Sequence, residues 1–125
     1  MKKILIIEDE SNLRKSIEEI LTGEGYTVFG AGDGEEGLAM AKEKKPDMVL
    51  LDLILPKKDG FTVLKELRDD PSTGKIPVIV LSNLGEMEDI GRVLELGANK
   101  YLVKTDYKLS EVIDKVNETF GTANT

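Results

Sequence analysis

The sequence predicts an α/β fold, with five β-α units built on one parallel sheet. Three observations carry this reading. Short apolar runs at residues 4–7, 48–51 and 78–81 alternate with longer stretches whose apolar residues recur at helical spacing. The run at 48–51 is apolar at every position, as a strand covered on both faces reads. The chain has 125 residues, the size of one domain, with no repeat or low-complexity stretch.

The elements follow in order. Residues 4–7 make the first strand. Leu13, Ile17, Ile20 and Leu21 are spaced for a helix that Gly23 and Gly25 stop. Thr27, Val28 and Phe29 make a second strand. Asp33 is placed to cap a second helix, which holds Leu38 and Ala41 and ends near Lys44, before Pro46. Residues 48–51 are the third strand. Gly60 precedes a helix with Phe61, Leu64 and Leu67, and residues 78–81 form the fourth strand. Met87, Ile90, Val93 and Leu94 mark a fourth helix ended by Gly97. Residues 101–103 are a short fifth strand. Leu109, Val112, Ile113, Val116 and Phe120 form the stripe of the last helix. The domain is expected over residues 1–121, with 122–125 as a short polar tail.

Composition narrows the function. The net charge is -7, which disfavours direct nucleic-acid binding, since that takes a basic face. There is no Cys, so a thiolate metal site is out of reach. There is no His, which removes imidazole bases and imidazole ligands. The first apolar run is too short for a signal peptide or a membrane helix, and a cytoplasmic location is expected.

Open parallel sheets bind ligands beyond the carboxyl ends of their strands. There the first strand runs into Glu8-Asp9-Glu10, the third into Asp52, the fourth into Ser82-Asn83 and the fifth into Lys104. Carboxylates pressed together repel unless a cation or proton sits between them. Oxygen ligands alone suit a hard cation such as Mg²⁺. An Asp can act as a nucleophile toward phosphorus, and a lysine and a hydroxyl could serve the phosphoryl oxygens. Read singly, each has a plain alternative: Asp9 could cap the first helix, Lys104 could be a surface lysine, Ser82 a turn residue and Tyr101 a half-buried strand residue. Glu86, Glu88 and Asp89 read as a solvated helix face.

These residues, in this order, resemble the response-regulator receiver domain. The matching text is Glu8-Asp9, then Pro46-Asp47-Met48-Val49-Leu50-Leu51-Asp52, Pro56 and Gly60, then Ser82, Gly97-Ala98 and Tyr101-Leu102-Val103-Lys104. The resemblance implies a flavodoxin-like (βα)5 fold with strand order 2-1-3-4-5. It implies that Asp52 accepts a phosphoryl group from the phosphohistidine of a sensor histidine kinase or histidine phosphotransfer protein. Asp9, Asp52 and the backbone carbonyl of Ile54 would ligate Mg²⁺ directly, and Glu8 mainly through water. Lys104 would pair with the acceptor or its phosphate. Ser82 would bond a phosphoryl oxygen, and Tyr101 would turn from exposed toward buried. The helix 4, strand 5 and helix 5 face would then bind a downstream protein partner. The implied protein is a signalling domain that catalyses only its own phosphorylation and dephosphorylation. It is expected to be monomeric when unphosphorylated and to touch no membrane.

The chain departs from the family at Thr105, where a proline usually follows the lysine. A cis bond before Thr105 would cost about 3 kcal/mol, so trans is expected. Asn83 is larger than the small residue usual after the switch hydroxyl. Ile54 and Leu84 stand where family members tune loss of the phosphate; two apolar groups cannot hold the attacking water, so a long-lived phosphorylated state is expected. After the last helix too few residues remain for an output domain, which fits a stand-alone receiver; the same text would serve a receiver cut from a longer kinase or regulator. Asn99-Lys100 replaces the Asp-Asp of one dimerising receiver class. A phosphatase of the haloacid-dehalogenase type would need an acid at position 54, which is Ile. A flavodoxin-type cofactor site would need a Ser/Thr/Gly-rich loop where Glu8-Asp9-Glu10 stands. A receiver that never takes phosphate fits the intact acid, hydroxyl and lysine set poorly.

Overall fold

A computed structural model describes residues 2–82, 87–103 and 109–121. Ten elements alternate: β1 (Lys3–Ile7), α1 (Ser11–Gly23), β2 (Thr27–Ala31), α2 (Gly34–Lys44), β3 (Met48–Leu51), α3 (Gly60–Asp69), β4 (Val78–Ser82), α4 (Met87–Glu95), β5 (Lys100–Val103) and α5 (Leu109–Phe120). The strands form one sheet in the order β2-β1-β3-β4-β5, parallel throughout. This is the flavodoxin-like order expected from the sequence.

Strand alternation builds two cores from one sheet. Leu5, Ile7, Val49, Leu51, Val78 and Val80 point to one face, against Leu38 and Ala41 of α2, Val63, Leu64 and Leu67 of α3 and Val93 of α4. Ile4, Ile6, Met48, Leu50, Ile79 and Leu81 point to the other, against Ile17 and Leu21 of α1 and Val112 and Val116 of α5. The central strands are fully buried, which is why their sequences read as unbroken apolar runs. Each such aliphatic side chain contributes about 2 kcal/mol by leaving water.

The helix starts differ in a telling way. Asp33 caps α2 as expected, accepting from the Glu36 N–H at 2.8 Å. Asp59 does the same for α3, accepting from Thr62 at 2.9 Å, so Gly60 opens that helix rather than preceding it. The capping expected of Asp9 does not occur: Glu10 is the N-cap of α1, and no side chain bonds the free amides there. Asp9 stands one residue too early.

Other boundaries shift slightly. β2 runs on to Ala31, and Ser82 lies inside β4 rather than after it. In α4 the expected stripe is only partly inward: Val93 is buried, but Leu94 is 46% exposed. Asn83, Leu84, Glu86, Lys104, Thr105 and the tail from residue 122 lie outside the described residues, as do the Met87 and Glu88 side chains.

Candidate functional site

The site is set by strand register. β1 pairs with β3 so that Ile7 lies beside Leu51. The next residue of each strand, Glu8 and Asp52, therefore leaves the sheet at the same level. Backbone bonds hold both exits: the Asp52 N–H donates to the Ile7 carbonyl at 3.0 Å, and the Glu8 N–H donates to the Ala31 carbonyl at 3.0 Å. One carboxylate oxygen from each of Glu8, Asp9 and Asp52 lies within 4.8 Å of the others. Glu8 and Asp52 are buried, 3% and 5% exposed, while Asp9 is open to water. Glu8 Oε2 accepts from the Glu10 N–H at 3.2 Å, and Asp52 Oδ1 accepts from the Ile54 N–H at 3.4 Å.

Two buried acids and one exposed acid form an oxygen-only set with a side facing water. That donor chemistry suits a hard divalent cation that keeps part of its water shell. The β3–α3 loop closes the site from another side. The Gly60 N–H donates to the Leu53 carbonyl at 2.8 Å, which folds the loop back over the strand end. Ile54 stands out from this loop, 57% exposed.

Ser82 is fully buried at the end of β4. β4 pairs with β5 so that Val80 lies beside Tyr101 and Ser82 beside Val103. The Ser82 hydroxyl acts on the Tyr101 phenol, and the Tyr101 ring packs on the α2-α3-α4 side of the sheet. The ring is half-buried here rather than exposed. Asp89, expected on a solvated helix face, is half-buried, and its charge acts on the Tyr101 hydroxyl. No periodicity in α4 marked it, because the group that feels its charge lies on β5.

Burial pushes the Tyr101 phenol above its ordinary value, the Ser82 hydroxyl opposes this, and the Asp89 and Asp52 charges add to the rise. A phenol whose pKa is raised by folding stabilises the fold at pH values below its unfolded pKa of about 10. That contribution is lost as pH climbs through the higher folded value. In a spectrophotometric titration Tyr101 should ionise above pH 10, and Tyr101→Phe should remove that step. An unchanged titration curve in Tyr101→Phe would contradict this placement.

Thus Glu8, Asp9 and Asp52 are brought together, and Ser82 and Tyr101 lie on the paired strands β4 and β5; Lys104 falls outside the described residues. Sequence reading missed Arg14, whose Nη1 donates to the Glu8 carbonyl at 2.6 Å. Its signal was present: a cation near a helix N-terminus runs against the helix dipole.

Comparison with known proteins identifies the family. The family model of the response regulator receiver domain matches residues 4–117. The DNA-binding dual master transcriptional regulator RpaA of Synechocystis is 40% identical over 116 residues, 93% of this chain and 48% of that protein. The probable transcriptional regulator ycf27 of Guillardia theta is 44% identical over 103 residues, 82% of this chain and 39% of that protein. The chain spans less than half the length of these two relatives. A two-component response regulator from Clostridium difficile superposes over the whole of both chains with a TM-score of 0.90 at 26% identity. The receiver domain of a Pseudomonas aeruginosa sensor histidine kinase has a magnesium ion coordinated in its active-site cleft. It superposes with a TM-score of 0.86 at 29% identity, over 96% of this chain and 98% of that one. The chain belongs to the response regulator receiver domain family, the signalling modules of two-component systems.

Proposed function

We propose that the chain is a phosphorylation-driven switch with Asp52 as the phosphate acceptor. The observation that carries this reading is the Glu8, Asp9 and Asp52 cluster, in which Asp52 is nearly buried against two further acids. An Asp52 carboxylate oxygen attacks the phosphorus of a phosphohistidine on a sensor kinase or histidine phosphotransfer protein. The P–N bond breaks, and its electron pair stays on the ring nitrogen of the partner. Asp9 and Asp52, with the Ile54 carbonyl, would hold Mg²⁺ directly and Glu8 through water; the ion supplies neutralising charge at the phosphoryl oxygens. Lys104 pairs with one phosphoryl oxygen and Ser82 donates to another.

Ser82 and Tyr101 stand on paired strands and Ser82 already influences the Tyr101 phenol, so a phosphoryl group that draws on Ser82 changes the surroundings of Tyr101. Tyr101 also lines a cleft of about 400 Å³ with Ile90, Leu94, Lys100, Leu102 and Lys115. This α4-β5-α5 face is the docking face for a downstream protein partner, and the domain itself makes protein contacts rather than nucleic-acid contacts. No described helix is long and apolar enough to cross a membrane.

The test is incubation with Mg²⁺ and acetyl phosphate, read by mass spectrometry. Wild type should gain one phosphoryl group and Asp52→Asn none. Phosphate retained at full level in Asp52→Asn would overturn the assignment. The exposed apolar side chain of Ile54, together with Leu84, offers no polar group to an attacking water. Phosphate release should therefore quicken in the double variant Ile54→Asn, Leu84→Glu. An equal or slower release rate sinks the claim of a long-lived state.

A further inference from the structure

We infer that Arg14 is a positioning residue for the acidic site, acting through the backbone between Glu8 and Asp9. The inference rests on the reading that Glu8, Asp9 and Asp52 take Mg²⁺. Arg14 is the fourth residue of α1. A cation there faces the positive end of the helix dipole, an unfavourable place. The same helix has no acid in its first turn and no side-chain cap. Something other than helix stability must account for an arginine at this point.

The geometry supplies the account. Arg14 Nη1 donates to the Glu8 carbonyl at 2.6 Å, a charge-assisted bond to the peptide that joins the two acids. That bond fixes the peptide plane, and the plane sets the direction in which Asp9 leaves the chain. The guanidinium is steadied in turn, with Nε 3.9 Å from Glu18 Oε1. The side chain lies along a slot walled by glycine. A methyl group on Gly30 would stand 3.1 Å from Arg14 Cδ and 1.9 Å from Glu18 Oε1, and one on Gly32 would stand 3.5 Å from Arg14 Nη1. Side chains at 30 and 32 would crowd the path by which Arg14 reaches Glu8.

Charge and position make opposite predictions. On charge alone, a guanidinium on the backbone of the acidic segment repels a divalent cation, so removing it should tighten Mg²⁺ binding. If Arg14 acts by position, removing it should weaken binding, because Asp9 loses its orientation. Outer contacts that orient metal ligands typically change affinity by about tenfold or more.

The experiment is calorimetric titration of the full chain with Mg²⁺, with thermal unfolding of every variant measured alongside. Arg14→Met should bind about tenfold more weakly while remaining folded at the titration temperature. Arg14→Lys, which keeps a donor, should recover part of the loss. Gly30→Ala keeps every charge but pushes the Glu18 carboxylate aside and presses on Arg14 Cδ, so it should weaken binding by a smaller factor. Unchanged or tighter binding in Arg14→Met overturns the inference. Should that variant fail to fold, undiminished affinity in Gly30→Ala overturns it instead. Wild type that takes up no Mg²⁺, or takes it equally in Asp52→Asn, removes the reading of the site and the inference together. Wild type that binds normally beside an Arg14→Met that binds as well removes the inference alone.

Discussion

Replacing Gly60 by alanine is expected to destabilise the fold by about 3 kcal/mol, a fall in Tm of roughly 10 °C for a domain of this size. The cause is a close approach of backbones. A methyl group at position 60 would stand 2.3 Å from the Asp52 carbonyl oxygen and 2.5 Å from Leu53 Cα. Those atoms belong to the main chain at the end of β3, and no rotamer change can move them. Either α3 shifts away or the Asp52–Leu53 peptide turns. The second route displaces the carboxylate that the site depends on, so Mg²⁺ binding should fall with stability. Gly91, inside α4, is the natural control, since a methyl group there meets nothing within 4 Å. Gly91→Ala should stabilise the chain by about 0.5–1 kcal/mol. Thermal unfolding of the two variants side by side checks both signs; equal small effects would refute the close-approach argument.

Arg68→Met should cost about 2–3 kcal/mol, measured as the change in free energy of urea unfolding. Arg68 sits in the last turn of α3 and joins three segments that lie apart in the chain. Its Nη1 donates to the carbonyls of Ile76 at 2.7 Å and Gly74 at 3.2 Å. Its Nη2 and Nε both donate to the Gly97 carbonyl, at 2.8 and 3.1 Å. Burial pulls the half-buried guanidinium below its usual range. Removing it strips a charged donor from three carbonyls at once. Arg68→Lys should recover little, because one ammonium cannot serve carbonyls spread across a planar fork. Full stability in Arg68→Lys would mean that charge alone matters here.

How far the sequence could be read depends on the range of each interaction. The alternation of apolar runs and helical stripes is local, so all ten elements were legible, and with them the edge where ligands bind. Asp52, Glu8 and Asp9 were legible because strand ends in a parallel sheet must meet at one edge. Asp9 failed as a cap for a local reason, a shift of one residue. Leu94 failed as a core residue because the outer rim of a short helix stripe meets no opposing layer. Asp89, Arg14 and Arg68 were not recognised for what they do. Arg68 reaches Gly97 across 29 positions in sequence, and the Asp89 charge is felt by a tyrosine on β5. Such contacts come from side-chain reach after the sheet has assembled, and no spacing rule records them.

The strand order divides the protein's labours along its length. All three acids hang from β1 and β3, so the acidic cluster is complete within the first 52 residues. Ser82 and Tyr101 hang from β4 and β5, whose only link to the acids through the sheet is the pairing of β3 with β4. A substitution in the body of β4 or β5, or in the helices beside them, therefore leaves untouched the β1–β3 pairing that gathers the three acids.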